Sequence, residues 1–279
     1  MKSVNLQGLR GAHTLPAFNF YNFESFMAIK MASDELRAPV IFQTSESAME
    51  YMGDEILRFL AEKYPLHLDH GHSLESVKHA ISLGYKSVMI DGSHLPFSEN
   101  VKLTRAAVKY AHLHNVWVEA ELGAIDKNGD FTDPAQAAEF VKLTGCDSLA
   151  IAIGTRHGAH KGDSGKVKLR FDILSETKKL LPKTPLVLHG ASMIPSKYTK
   201  ILGLKDTSGV PAAQIKKAIM LGIQKVNIDS DARLAWTATI KQTLAKNPDK
   251  YNPRFFLSAA NTELTELYKS EIRIITNCD

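Results

Sequence analysis

The feature that most limits how this chain can fold is an alternation. Eight short runs, most of them rich in β-branched and other apolar residues, recur along it, and the segments between them have helical character. The runs are Leu15 to Phe20, Val40 to Thr44, Leu66 to Asp69, Ser87 to Asp91, Val116 to Glu121, Ser148 to Ile153, Leu186 to His189 and Lys225 to Asp229. Strands apolar on both faces belong to a sheet covered on both sides. The clearest helix opens at Asp133-Pro134, an N-cap followed by proline at the first helical position. It continues through apolar Ala137, Phe140 and Val141 and stops at Gly145. Gly84 and Gly222 mark similar stops. Strand alternating with helix implies parallel crossovers, and eight such units imply a closed barrel. An open doubly wound sheet would carry a glycine fingerprint after its first strand, and Phe18-Asn19-Phe20-Tyr21-Asn22 has none. A single (β/α)8 barrel over residues 1–279 is therefore expected. A polar turn from about Asn247 and a terminal helix, Leu257 to Ile275, should lie outside it or on a neighbouring subunit.

Composition narrows the partners. A length of 279 residues suits a barrel of about 250 residues. The formal charge of +4 comes from Lys and Arg scattered without a basic block, which argues against nucleic acid and leaves anionic small molecules. Cys146 and Cys278 are far apart and form no C-x-x-C, so neither a disulfide framework nor a cysteine-ligated zinc site is expected. Met1 to Gly11 lacks the apolar run of a signal peptide, and no apolar stretch reaches membrane length. The expectation is a cytoplasmic protein with no membrane partner.

Polar residues collect where the chemistry of a barrel is done. Asn19, Asp69 and His70, Asp91, Glu119 and Glu121, His157, His189, Asn227 and Asp229 all fall at or just beyond strand C-termini. Any one of them alone reads as a loop cap; their joint occurrence reads as a site. His70, His157 and His189 each follow an apolar strand and precede glycine, and a glycine there permits a turn that aims the imidazole inward. Imidazoles converging from separate strands make a borderline-soft divalent site, with zinc the natural occupant. His79, His112 and His114 read as solvent-facing helix residues, and His13, His72, His94 and His160 as loop residues. The pair His70-Gly-His72 also fits barrel metal hydrolases, but those place such a pair on the first strand, and here it follows the third.

Six motifs stand in order: His67-Leu-Asp-His-Gly71, Ser87-Val-Met-Ile-Asp-Gly-Ser93, Val118-Glu-Ala-Glu-Leu-Gly123, Ala152-Ile-Gly-Thr-Arg-His-Gly158, Leu188-His-Gly-Ala-Ser192 and Val226-Asn-Ile-Asp-Ser-Asp231. In this register the chain, from about Asn19 to Arg254, resembles the class II fructose-bisphosphate aldolases, a family that includes tagatose-bisphosphate aldolases. The resemblance implies that Asp69 is the general acid/base that takes the C4 hydroxyl proton as the C3–C4 bond breaks. It implies zinc on His70, His157 and His189, with Glu121 an alternative ligand when the metal shifts and Asp91 an acid close behind. Asn227 would hydrogen-bond the enediolate. One substrate phosphate would fall to Gly158, Lys161, Gly190, Ser192, Asp229 and Ser230, with Asn19 and Ser45 nearby; Arg233 and Arg254 are candidates for the other. A phosphate site after strands 7 and 8 at a helix N-terminus agrees with barrels in general.

The resemblance further implies a homodimer or homotetramer and an activating monovalent cation, sodium or potassium, held by backbone carbonyls. Three departures matter. The loop after Gly123 is short and has no glutamate, so either Asp126 or Asp130 replaces the family's proton-exchanging loop acid, with Asp126 slightly favoured, or that exchange is weakened. Arg156 stands where a small residue is commoner, and the helix before Leu66 is short. The expected activity is reversible cleavage of fructose 1,6-bisphosphate to dihydroxyacetone phosphate and glyceraldehyde 3-phosphate. Asp229 resembles the fructose type, whereas Ser93-His-Leu-Pro-Phe97 points weakly to tagatose 1,6-bisphosphate. A weakly active zinc-containing sugar-phosphate-binding subunit is the alternative from a different class.

Overall fold

A computed structural model describes residues 14–123, 131–156, 158, 167–205 and 207–276. Within them the chain runs β1 (Leu15–Asn19), α1 (Phe23–Leu36), β2 (Ile41–Ser45), α2 (Glu46–Met52), α3 (Asp54–Ala61), β3 (Leu66–Gly71), α4 (Leu74–Ser82), β4 (Ser87–Ile90) and α5 (Phe97–Leu113). It continues with β5 (Trp117–Leu122), α6 (Pro134–Thr144), β6 (Ser148–Ile151), α7 (Phe171–Leu180), β7 (Leu186–Leu188), α8 (Ser196–Leu202), α9 (Ala212–Met220), β8 (Ile223–Ile228), α10 (Ser230–Lys246) and α11 (Pro253–Thr276). The strands pair in sequence order, all parallel, and β8 returns to β1, which closes the barrel the alternation predicts.

Local signals explain where elements begin. The Asp133 side chain accepts the Gln136 N–H at 2.8 Å, Pro134 is the first helical residue and Gly145 ends α6 at φ 72°. Asn22 and Ser25 form a reciprocal capping box that starts α1 just beyond β1. Element ends differ from the apolar runs in places. Strand β7 is only Leu186–Leu188, so His189 lies beyond the ladder, and β8 starts upstream of Lys225 at Ile223. Helix α11 starts at Pro253 rather than Leu257. An apolar run marks burial, whereas a strand ends with its ladder, and Leu188 is the last β7 residue paired with β8. His114 lies past the end of α5, as its C-cap.

Period-two alternation divides the sheet. Phe18, Phe42, Leu66, Leu68, Val88, Ile90, Val118, Leu149, Leu188 and Val226 face the helices in one continuous core. Their neighbours in sequence point to the barrel axis. At its bottom Leu15, Ala17, Ile41 and Trp117 form a separate apolar cluster. Two residues further along the same or adjoining strands come Gln43, His67, Glu119 and Lys225, then Asn19, Asp69, Glu121 and Asn227 at the mouth, all buried. Barrel interiors are ordinarily filled with branched aliphatics, so most of this one is unusually polar.

Helix α11 packs on α1, α10 and β1, burying Leu264, Tyr268, Ile272 and Ile275 against its own barrel. The Tyr268 ring lies 4.7 Å from that of Phe18 on the outer face of β1. None of the described helices is long and apolar enough to cross a membrane. Replacing Tyr268 by alanine removes a fully buried ring and should cost about 3–5 kcal/mol. Chemical denaturation should show this as a lower midpoint with an unchanged slope.

Candidate active site

Asp69 and His70 are consecutive, and a regular strand would point them to opposite faces of the sheet. The chain avoids this with a register shift between Leu68 and Gly71 and a left-handed backbone at His70, φ 52°. Both side chains thereby reach the barrel mouth. The turning residue at β3 is thus His70 itself, which corrects the expectation that the following glycine supplies the turn. Gly71 is needed for space: a Cβ there would sit 2.7 Å from the Met89 carbonyl oxygen and 2.9 Å from Leu68 Cδ2. Gly190, after β7, does meet the expectation, at φ +61°, and its Cβ would also meet the Arg156 carbonyl oxygen at 2.7 Å.

Hydrogen bonds then assign the protons. His70 Nδ1 lies 2.7 Å from Asp91 Oδ2, and the other Asp91 oxygen accepts the Ser93 N–H at 3.0 Å. His189 Nε2 lies 2.8 Å from Glu119 Oε1. Since a carboxylate only accepts, His70 donates from Nδ1 and His189 from Nε2. Their remaining nitrogens, His70 Nε2 and His189 Nδ1, face each other at 3.0 Å. Two bare lone pairs at that separation repel, so the pair needs either a second proton or a cation between the rings. Asp69, His70 and His189 offer ligand atoms within 4.8 Å of one another, as do His70, Asp91 and Glu121. Two neutral imidazoles with adjoining carboxylates suit a divalent transition ion. The second group matches the alternative-ligand reading of Glu121, which is buried with Oε2 unpartnered. Burial and the Asp91 charge push the Glu121 carboxyl well above its usual range.

Asp69 sits beside this pair. Its Oδ2 accepts from Asn19 Nδ2 at 2.8 Å and its Oδ1 from Asn227 Nδ2 at 2.9 Å, while Gln43 Nε2 donates to Asn19 Oδ1 at 2.6 Å and fixes that amide. Burial alone would raise the Asp69 pKa, but the charges on His70, His189 and Lys225 and the Asn19 hydrogen bond outweigh it and bring it to about 2. For His70 burial opposes protonation, yet Asp69 and the Asp91 hydrogen bond prevail and raise it to about 10.

The pair forms the floor of a cavity of about 500 Å³. Of the sequence-predicted residues, Asn19, Ser45, Asp69, His70, Gly158, His189, Gly190, Ser192, Asn227, Asp229, Ser230 and Arg233 line it, and Asp91 and Glu121 stand behind His70. Arg156 lines it too, as its position in the motif suggested. Arg254 is not brought there; it is an exposed residue whose side chain meets Asn252. His157, Lys161, Asp126 and Asp130 lie outside the described residues. His72, the second member of the hydrolase-like pair, is exposed and belongs to neither ligand group. Sequence reasoning missed Ser47 and Leu234 in the wall, and it placed Glu119 with the mouth residues, whereas Glu119 lies a layer deeper with Lys225 and His67. The usable signal was parity: Lys225 is two residues before Asn227, so it also points inward and needs a buried partner.

A His70 pKa near 10, above the ordinary 6.5, means that at pH 8 the metal-free ring is protonated. A divalent ion taking Nε2 must displace that proton, so binding should release about one proton at pH 8 and tighten as pH rises toward 10. Calorimetry in buffers of different ionisation enthalpy measures the release, and none at pH 8 would contradict this charge balance.

Comparison with known proteins agrees with this geometry. The family model described as fructose-bisphosphate aldolase class-II matches residues 2–279. A fructose-bisphosphate aldolase of Treponema pallidum (strain Nichols) is 41% identical, the match covering 96% of this chain and 92% of that one. One from Thermus caldophilus is 42% identical, over 92% of this chain and 91% of the relative. Among solved structures, the YdjI aldolase from Escherichia coli K12 superposes with a TM-score of 0.80 at 30% identity, over 98% of this chain and 96% of that one. A closed parallel barrel, a histidine pair held by acids at its mouth and relatives matched nearly end to end place the chain in the class II fructose-bisphosphate aldolase family, a family of metal-dependent lyases.

Proposed function

We propose that this protein catalyses reversible cleavage of fructose 1,6-bisphosphate to dihydroxyacetone phosphate and glyceraldehyde 3-phosphate. Zinc would be held by His70, His157 and His189, with Glu121 as an alternative ligand. The observation that carries the reading is the ionised Asp69 carboxylate, aimed by two buried amides beside the facing His70 and His189 nitrogens on the cavity floor. Zinc bound there would supply a Lewis acid for the C2 carbonyl oxygen, the electron sink that cleavage requires.

Asp69 takes the C4 hydroxyl proton. The C4 oxygen then forms the aldehyde carbonyl as the C3–C4 electron pair leaves with C3, and Asp69 returns a proton in the aldol direction. Asn19 and Asn227 keep both Asp69 oxygens oriented, and Asn227 also offers its amide to the three-carbon fragment left behind. That fragment needs a proton at C3, for which Asp126 is the candidate. The N-terminus of α10, beginning at Ser230, opens onto the cavity beside Gly190 and Ser192, so its backbone dipole favours an anion there. Gly158, Lys161, Gly190, Ser192, Asp229 and Ser230 would hold one phosphate, with Asn19 and Ser45 at its edge. Arg233 would take the other. Arg233 is held by Asp229 at 2.9 Å and still lines the cavity. A homodimer or homotetramer in the cytoplasm, activated by sodium or potassium, completes the reading.

Asp69→Ala should retain zinc and lower kcat about 10²- to 10⁴-fold. Steady-state cleavage with parallel metal analysis tests this, and an undiminished rate removes Asp69 from its role. Wild-type kcat/KM should be higher for fructose than for tagatose 1,6-bisphosphate; the reverse order would reassign the substrate, and negligible cleavage of both with retained binding would leave a sugar-phosphate-binding subunit.

A further inference from the structure

Below the mouth lies a buried chain of polar groups that the proposed reaction does not use. Lys225 Nζ lies 2.9 Å from Glu119 Oε2 and 3.1 Å from His67 Nε2, and His67 Nδ1 lies 2.8 Å from Ser87 Oγ. None of Lys225, Glu119, His67 and His189 is more than 1% exposed. An ammonium only donates, so His67 accepts on Nε2 and carries its proton on Nδ1, which it gives to Ser87. With Glu119 Oε2 occupied by Lys225, the oxygen left for His189 is Oε1, at 2.8 Å.

Buried ion pairs are a poor source of stability, since apolar groups of similar volume commonly do as well or better. Charges placed where barrels usually carry aliphatic side chains therefore call for another explanation. Here each bond in the series has one direction, and the series ends on one atom of a metal-facing ring. His189 could otherwise present either nitrogen to the mouth. The geometry points to Glu119, itself anchored by Lys225 and His67, as a positioning residue that holds His189 as the Nε2–H tautomer and leaves Nδ1 as the metal-binding atom. Asp91 does the equivalent for His70 from the partly exposed side, leaving Nε2. The two acids together set the inward faces of both rings, and ligand histidines oriented in this way by acids are a general device of metal sites.

This inference rests on His189 being a metal ligand, and the experiment separates the two. Two double variants both remove Lys225, so that no unpaired buried cation remains: Glu119→Gln with Lys225→Met, which keeps an acceptor for His189 Nε2, and Glu119→Leu with Lys225→Met, which does not. Chelator competition should show zinc affinity near wild type for the first and about 10- to 100-fold weaker for the second. The cobalt-substituted visible spectrum should likewise be retained in the first and altered in the second. Equal affinities and spectra overturn the positioning role. The wild-type protein provides a measurement independent of folding in the variants: histidine-labelled ¹⁵N spectra of the cadmium-113-loaded protein should show His189 coupled to the metal through Nδ1 with Nε2 protonated. Coupling through Nε2 overturns the proposal and leaves the metal-site reading intact, whereas no coupling to His189 at all overturns both.

Discussion

Two imidazole nitrogens meet at 3.0 Å in the mouth of this barrel, and the opposite nitrogen of each ring donates to a carboxylate. The surrounding architecture makes that arrangement possible. A closed parallel sheet gives every second residue of eight strands an inward direction and brings residues more than a hundred positions apart, such as His70 and His189, to one point. The bulge at His70 adds a second inward residue where a regular strand would allow one, which is how Asp69 comes to lie next to a histidine it directly precedes in sequence.

Stability and chemistry occupy different layers. The apolar core lies between the outer face of the sheet and the helices, where Phe18, Phe42, Leu68 and Val118 are buried and Tyr268 of α11 closes over Phe18. Inside the barrel, Leu15, Ala17, Ile41 and Trp117 form an apolar bottom layer. Above it polar groups hold one another: Gln43 donates to Asn19 and Asn19 to Asp69, while Lys225 and His189 both donate to Glu119. The result is a rigid floor whose amides and acids are oriented before any substrate arrives, which favours electrostatic catalysis over reorganisation.

Much of this was legible in the residues. Asp133, Pro134 and Gly145 mark the limits of α6 because capping and proline chemistry act over one turn of chain. The eight apolar runs mark the strands because burial on both faces leaves a local record. The roles of Gly71 and Glu119 were misread for the complementary reason. Whether a glycine supplies conformation or space depends on a neighbouring strand, here Met89 in β4, and whether an acid stands at the mouth or a layer below depends on strand stagger. Arg254 was a candidate for the second phosphate from the family resemblance alone, and in this chain its side chain lies by Asn252, away from the cavity.

From its residues alone this chain was bound to build strands and helices in alternation, to bury a continuous apolar core and to carry its histidines and acids at strand ends, since these follow from periodicity and local backbone chemistry. Tertiary structure decided which nitrogen of each histidine faces the mouth, which acid touches which ring and how strongly Asp69 holds its charge. Those depend on distances of about 3 Å between segments remote in sequence, where hydrogen-bond direction and burial take effect only once the barrel has closed.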